Sequence, residues 1–390
     1  MAKLGDYILD IAAGPFGSNL KVDCFVTKGF PIIDGANLKG FKVTDNVTKF
    51  VTEDKARSLH RSIAKRNDVV VTISGNVGQI SYIPNDSKYV EYLVSQRQFR
   101  VTFNTEKVFV PYLVYYFHTK EGQHKILSFA NQTGVPALAQ PLKNFRNIDV
   151  DLPSIEEQCK IVAILTSIDN KIEVNQCIND NLEQQAQALF KSWFVDFEPF
   201  KDGEFVESKL GMIPKGWRVG TLGELCNFKR GKNLLTKDAL PGEVPVVAGG
   251  LEPSCYHRVS NTKAPVVTVS GSGANAGFMR MYYQEVWASD CSFIDSTCDS
   301  LFFVYCFLSA NRRLLKHAQT GAVQPHVKPA DIHGFELVIP PKKVIDQFQR
   351  IVADTFTMRG NNEKESRRLA TLRDTLLPKL MSGQIKVNEL

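Results

Sequence analysis

No apolar run in this 390-residue chain is longer than Leu301-Phe-Phe-Val-Tyr-Cys-Phe-Leu308, well short of the roughly 20 residues that a membrane-spanning helix needs. The amino terminus also lacks a basic stretch followed by an apolar one. A cytoplasmic protein with no membrane partner is expected. Eight cysteines and seven histidines are present, but there is no C-x-x-C pair. The spacings of Cys291, Cys298 and Cys306 fit no common zinc pattern, and no two histidines stand at ligand spacing. Reduced, mostly buried thiols and no metal site are expected. Walker A, H-E-x-x-H, G-x-S-x-G and zinc-deaminase signatures are all missing. So are the Gly-rich and Asn/Asp-Pro-Pro-aromatic motifs of an adenine methyltransferase, because the prolines of Ile339-Pro-Pro-Lys342 lack both flanking residues. These absences favour a binding protein that holds no cofactor over an enzyme.

Core-forming residues are plentiful: 43% are hydrophobic and 23% charged, enough for two or three globular domains. The net charge of +6 is unevenly spread. Residues 1–152 hold 19 Lys+Arg against 14 Asp+Glu (+5), 153–216 hold 6 against 11 (−5), 217–340 hold 12 against 10 (+2), and 341–390 hold 10 against 6 (+4).

The chain also repeats itself over a long interval. Thr133–Gly134 recurs as Thr320–Gly321, and Phe145-Arg-Asn-Ile-Asp-Val-Asp-Leu-Pro153 as Ile332-His-Gly-Phe-Glu-Leu-Val-Ile-Pro340, both displaced by 187 residues. Upstream, Val70-Val-Thr-Ile-Ser-Gly75 matches Val266-Val-Thr-Val-Ser-Gly271 at a displacement of 196, and Leu4–Gly5 matches Leu222–Gly223 at 218. The shrinking displacement places extra loop residues in the first copy. Solenoid repeats run to roughly 20–50 residues, so this is the duplication of a whole domain with its spacer, laid out as globule, helix, globule, helix. Two similar readers held apart suit a divided linear target.

The first spacer carries Ile161, Leu165, Ile168, Ile172, Asn175, Asn179, Leu182, Ala186, Leu189 and Trp193 at alternating steps of four and three, a coiled-coil seam with a polar middle. The second carries Phe348, Val352, Thr355, Arg359, Asn362, Ser366, Leu369, Arg373, Leu376 and Leu380 in the same register. Asn175 and Asn362 stand at seam positions where amides set register and partner choice. Ser154-Ile-Glu-Glu157 forms a capping box. At 1.5 Å per residue, each spacer would make a rod of about 50–65 Å. The first spacer is acidic and the second basic, which favours clasping within one chain. Five aromatics between Phe190 and Phe200 require burial, either inside the chain or as a docking patch for another subunit.

Candidate ligand contacts fall in the globules. The strand Val69–Ile73 enters a loop holding Ser74 and Asn76, and Val266–Val269 enters one holding Ser270 and Ser272; such loops suit either close phosphate approach or a plain hairpin turn. Arg57, Arg61 and Lys65 would share one face of a helix over 55–66, fit for phosphate contact or for simple solvation. Gln96 and Arg97 form a further candidate, as do Thr133 in the first copy and Lys229, Arg230 and Lys232 in an expected loop of the second. Thr320, Gln324, His326 and Lys328 complete the set, as cations and amides of the kind that contact base edges. The shared Thr-Gly pair is equally explained by a turn requirement.

Family-like motifs are Leu152-Pro-Ser-Ile-Glu-Glu-Gln158 with its repeat Ile339-Pro-Pro-Lys-Lys-Val-Ile-Asp-Gln347, Leu189-Phe-Lys-Ser-Trp-Phe-Val-Asp-Phe197, Gly211-Met-Ile-Pro-Lys-Gly-Trp217 and Leu376-Leu-Pro-Lys-Leu-Met-Ser-Gly-Gln-Ile385. In this order, over essentially the whole chain, they resemble the specificity subunits of type I restriction–modification systems. The resemblance implies an α+β protein with target-recognition domains at 1–152 and 217–340, conserved spacer helices at 153–200 and 341–390 paired as an intramolecular antiparallel coiled coil, and a linker at 201–216. It implies double-stranded DNA as ligand, read in two halves by major-groove contacts with phosphate anchoring. Further implied partners are two modification subunits, which bind S-adenosylmethionine and methylate flipped adenines, and restriction subunits that use ATP with Mg. Recognition domains vary within the family, so no base-reading residue carries over by position. The alternatives are a recognition subunit of another restriction class, serving a fused methyltransferase–nuclease, and a coiled-coil scaffold that binds protein.

Overall fold

The structure is a computed structural model and describes residues 2–131, 135–320 and 325–387. The chain divides into two compact units, Met1–Asn170 with Leu369–Leu390, and Lys171–Arg368. Each unit therefore takes in a globule and parts of both long helices.

The strands of unit 1 are β1 (Ala2–Lys3), β2 (Ile8–Ala13), β3 (Phe30–Ile33), β4 (Phe50–Val51), β5 (Ile63–Lys65), β6 (Val69–Thr72), β7 (Ile80–Tyr82), β8 (Glu91–Val94), β9 (Gln98–Phe103) and β10 (Asp149–Val150). Its helices are α1 (Glu53–Ser58), α2 (Val110–His118), α3 (Lys120–Leu127), α4 (Pro141–Arg146) and the start of α5 (Ile155–Phe194). One antiparallel sheet runs β2-β9-β6-β7 and a second runs β4-β3-β8-β5, with β3 and β8 parallel; β1 pairs with β10. Strand alternation, with a core on each face, explains why β6 is buried along its whole length and opens with three valines. Val69 and Val71 face a core with Phe99, Leu113 and Phe117, while Val70 faces another with Ile33, Tyr92 and Val94.

Unit 2 contains β11 (Phe205–Ser208), β12 (Gly211–Pro214), β13 (Arg218–Thr221), β14 (Lys229–Arg230), β15 (Val244–Val247), β16 (Cys255–His257), β17 (Val266–Ser270), β18 (Met279–Tyr282), β19 (Trp287–Ala288), β20 (Cys291–Asp295) and β21 (Glu336–Ile339). Its helices are α6 (Leu301–Ala310), α7 (Arg312–His317), α8 (Pro329–His333), most of α9 (Lys342–Met381) and the rest of α5. The sheet β14-β20-β17-β18 repeats β2-β9-β6-β7, the parallel pair β15·β19 repeats β3·β8, and β13·β21 repeats β1·β10. The two globules share one topology. Ile33 matches Val247 at a displacement of 214 and Gly75 matches Gly273 at 198, so about half of the extra residues of the first copy lie between β3 and β6, where α1 and β5 form.

Three expectations need correction. Residues 55–66 are not one helix: α1 ends at Ser58, a turn covers His60–Ser62, and Ile63–Lys65 joins β8 as β5. The stretch 201–216 holds the hairpin β11–β12. The strand repeat is displaced by 198 residues, not 196. Val71 pairs with Ile80 as Val269 pairs with Met279, and Gly75 N–H donates to Pro136 O at 3.2 Å as Gly273 N–H donates to Pro325 O at 3.1 Å.

The long helices pair antiparallel within each unit. In unit 2, Asn175 Nδ2 donates to Glu365 Oε2 at 2.7 Å, Asn179 Nδ2 to Arg359 O at 3.2 Å, and Arg359 is ion-paired with Glu183. In unit 1, Arg373 Nη1 stands 2.7 Å from Asp169 Oδ1, and Ile161, Leu165, Leu377 and Leu380 form one cluster. Both carboxylates belong to α5 and both arginines to α9, matching the opposite charges of the two segments. Of the expected capping box of α5 the Ser154 half is seen, Ser154 Oγ accepting from Glu157 N–H at 3.3 Å. Toward the ends the seam moves by one residue, so that Phe190, Phe194, Phe356 and Leu377 are buried in place of Leu189, Trp193, Thr355 and Leu376. The aromatic segment is buried inside the chain: the Phe194 ring lies 4.9 Å from Phe303 and 5.1 Å from Phe348.

Candidate nucleic-acid interface

Unit 1 has a concavity of about 570 Å³ where the β6–β7 loop, the β8–β9 turn and the segment after β3 meet. The candidates Ser74, Asn76, Gln96 and Arg97 all line it. Gly75 and Gly78 hold the loop open at φ 89° and 84°, a region glycine enters without steric cost. Ser74 bridges to Ala137, and Ile73 N–H donates to Arg97 O at 2.7 Å, which ties the loop to the turn. Beneath them the polar groups satisfy each other: Thr72 Oγ1 donates to Gln79 Oε1 at 3.2 Å and Ser95 Oγ to Gln98 Oε1. Asn76, Gln96 and Arg97 are exposed at the mouth.

Asp34 and Lys49 also line this concavity, 2.7 Å apart. Burial alone would raise the Asp34 carboxyl, but the Lys49 ammonium and the Ala36 N–H outweigh it and hold the group below the usual carboxylate range. Asp34 is thereby a committed anion, neutralised by Lys49. Neither residue was among the candidates drawn from the sequence. They stand 15 positions apart in a Gly/Asn-rich stretch without motif, and only the fold brings them to the groove.

In unit 2 the corresponding loop and turn gather Arg230, Ser270, Ser272, Thr320 and His326. Arg230 and Ser272 both bond the Asp290 carboxylate, Ser272 bridges to His326, and Ser270 Oγ donates to Gly249 O at 3.2 Å. Thr320 N–H donates to His326 O at 2.9 Å, as Asn131 N–H donates to Ala137 O at 2.8 Å. Thr320 is thus the counterpart of Asn131, at a displacement of 189, and not of Thr133. Thr133 and Gln324 themselves lie outside the described residues. Asp290 was also missed; it precedes β20 as an unremarkable Ser-Asp-Cys.

The other candidates lie apart from these clusters. Arg57 pairs with Glu53 at 2.8 Å and with Glu91 at 2.7 Å, and Lys65 lies 3.5 Å from Glu91, so these two cations are committed within the fold. Arg61 is exposed, and its carbonyl accepts from Arg100 Nε at 2.9 Å. Lys229 lies in β14 rather than in a loop, and its backbone pairs with Phe293. Lys232 is exposed while its carbonyl accepts from Trp287 Nε1 at 2.8 Å. Lys328 caps α8, donating its N–H to Asp331 at 2.8 Å. Of the eight cysteines only Cys226, Cys291 and Cys306 are buried, while Cys159 and Cys177 are exposed on α5. Burial pushes the Cys291 thiol up to about 12, as befits a core side chain. Among the described residues no group of three or more His, Cys, Asp and Glu could hold a metal ion, and no helix is long and apolar enough to cross a membrane.

A sequence model of the type I restriction modification DNA specificity domain matches the chain twice, over residues 25–184 and 214–372. Each match spans most of a globule and much of the helix that follows it. The MjaIX type I restriction enzyme specificity subunit of Methanocaldococcus jannaschii is 27% identical over 364 residues, covering 87% of this chain and 82% of that one. The HindI type I restriction enzyme specificity subunit of Haemophilus influenzae is 24% identical over 407 residues, covering 82% and 87% respectively. In three dimensions the chain is similar to the crystal structure of a type I restriction–modification system S subunit from M. genitalium. The TM-score is 0.58 at 17% identity, over 97% of this chain and 95% of that one, a likeness of fold.

Proposed function

Because the chain belongs to the type I restriction–modification DNA specificity family, we infer that it is the sequence-specificity subunit of such a system, each globule recognising one half of a bipartite DNA target. The duplication carries this reading. Two globules of one topology present the same loop and turn scaffold with different side chains, Arg97 and Asn76 in one and Arg230, Asp290 and His326 in the other. Side chains of these types distinguish base edges in the major groove, and exposed lysines such as Lys229 and Lys232 anchor phosphates without reading sequence.

Chemistry then belongs to partners. Two modification subunits bind S-adenosylmethionine and methylate adenine, restriction subunits use ATP with Mg, and this chain holds neither cofactor. The paired helices are their platform and set the unread spacer between the half-targets. Val174 and Ile178, one helical turn apart on α5, and Ile351 and Met358 on α9 are exposed apolar side chains that such partners would cover.

The test is single-molecule methylome sequencing of a host without its own systems, expressing this chain with its modification subunit. A methylated-adenine motif of two specified halves around an unspecified spacer, absent when this chain is omitted, is the expected result. An assembled complex that leaves no such motif would refute the assignment.

A further inference from the structure

At one equivalent backbone position the two globules carry side chains of opposite charge. In unit 1, Arg97 O accepts the Ile73 N–H and the next residue, Gln98, accepts from Gly14 N–H at 2.8 Å. In unit 2, Asp290 O accepts the Gly271 N–H at 3.0 Å and the next residue, Cys291, accepts from Gly231 N–H at 2.8 Å. Arg97 and Asp290 are therefore counterparts, and the scaffold carries opposite charges at the same corner. Ser95 N–H donates to Ile33 O at 2.9 Å and Ser289 N–H to Val247 O at 2.8 Å, so the turn of unit 1 is longer by one residue, Gln96.

The commitments of the two side chains also differ. Asp290 is used up inside its unit, bonded by Arg230 and by Ser272. The Arg97 guanidinium has no ion pair or hydrogen bond among the described residues and stands beside Gly75, with Nη1 4.0 Å from where a Cβ would be. The nearby carboxylate, Asp34, is held by Lys49 at 2.7 Å. An unspent fork of donors thus faces a polar concavity beside Asn76 and Gln96.

Resting on the specificity-subunit reading, we propose that Arg97 is a specificity-determining residue that recognises a guanine in the half-target of unit 1. Guanine offers two adjacent acceptors, O6 and N7, on its major-groove edge, and a guanidinium has donors and no acceptor. Adenine and cytosine place an amino donor there and repel it. A phosphate anchor would serve both halves alike, and a carboxylate at the counterpart position cannot anchor phosphate. A position whose backbone is kept while its charge is inverted between the copies is suited to telling one half-target from the other.

The experiment uses the whole chain with its modification subunits and the same methylome sequencing, on wild type, R97A and R97Q. Arg97 is exposed and unbonded, so both variants should assemble. The wild-type motif should contain a guanine at which R97A relaxes, its preference over other bases falling about 10- to 100-fold, with the other half and the spacer unchanged. R97Q should shift that position toward adenine, which a glutamine amide matches. Uniformly weaker methylation of an unchanged motif in both variants would make Arg97 a phosphate contact and overturn the inference alone. An assembled wild-type complex without any two-part motif would overturn the inference together with the reading beneath it.

Discussion

Asn362 Nδ2 donates to Asn179 Oδ1 at 2.9 Å, in the middle of the helix pair of unit 2. Asn175 Nδ2 donates to Ser366 Oγ at 3.3 Å. The displacement of 187 carries Asn175 onto Asn362 and Asn179 onto Ser366. One contact is thus made twice across an approximate dyad, the geometry expected when a duplicated helix folds back on its own copy. Amides at seam positions lower stability but penalise every other register, because a slipped amide loses its partner.

Replacing both amides, as N175L/N362L, should raise the melting temperature by a few degrees, each substitution contributing on the order of 1 kcal/mol. The gain should come with self-association, because apolar seams accept other registers and other copies. Thermal unfolding with light scattering checks both, and a less stable, strictly monodisperse variant would contradict the assigned role.

The Asp169–Arg373 pair should behave as a buried ion pair, its side chains being 9% and 20% exposed. Tyr115 Oη also donates to Asp169. R373M, which leaves the carboxylate uncompensated, should cost about 2–4 kcal/mol, and adding D169N should recover a large part of it. Urea unfolding of the single and double variants measures this, and additive losses would deny the coupling.

Spacer length offers a test at the scale of the DNA. Removing seven residues from α5 and the facing seven from α9 keeps the seam in phase and shortens the pair by about 10 Å. The unread spacer should contract by about three base pairs at about 3.4 Å each. Methylome sequencing of the assembled complex gives the new spacer directly, and an unchanged spacer would separate helix length from target geometry.

Gly273 has φ 79° with no atom within 4 Å of where a Cβ would stand, so its constraint is conformational rather than steric. G273A should destabilise unit 2 by about 1 kcal/mol. Methylation should weaken chiefly at sites with a substitution in one half-target, and equal tolerance of both halves would show that the loop does not shape recognition.

Acid sensitivity should trace in part to Asp45. Burial would raise its carboxyl, but the Tyr92 hydroxyl, the Lys88 N–H at 2.9 Å and the Ser87 hydroxyl at 2.7 Å outweigh this and lower it. A depressed folded-state value means stability that is fully present above the unfolded carboxylate value of about 3.9 and is lost as pH falls through the lower folded value. D45N should therefore be less stable at pH 7 and show a flatter loss below about pH 4. Denaturant midpoints between pH 7 and pH 3 decide it, and parallel pH profiles for wild type and variant would count against it.

Much of this architecture was legible in linear order. The 3.5-residue seam of α5 and α9 is visible because side chains three and four apart share a helix face, and the charge contrast of the two segments already favoured their pairing. In the groove, Ser74, Asn76, Gln96 and Arg97 were found because glycine-rich loops and adjacent polar pairs leave a local mark. The strand match was off by two residues for a physical reason. A strand repeats its facing every two residues, so displacements of 196 and 198 give the same apolar pattern, and only backbone pairings such as those of Gly75 and Gly273 distinguish them. The basic stripe at Arg57, Arg61 and Lys65 failed because charge spacing does not show where a helix stops, and because Glu91, which takes up Arg57 and Lys65, arrives from β8.

Sequence alone determined the duplication, the alternation of globule and helix, and the clasp of the two helices within one chain, since each depends on periodicity, charge and the order of the chain. That the clasp is antiparallel was implied by the family resemblance. Tertiary structure alone decided which cations are spent. Arg57 meets Glu91, Lys49 meets Asp34, Arg230 meets Asp290, and Arg97 is left open. Charges cancel through space over a few ångströms, and that proximity is set by the packing of sheets and loops rather than by distance along the chain.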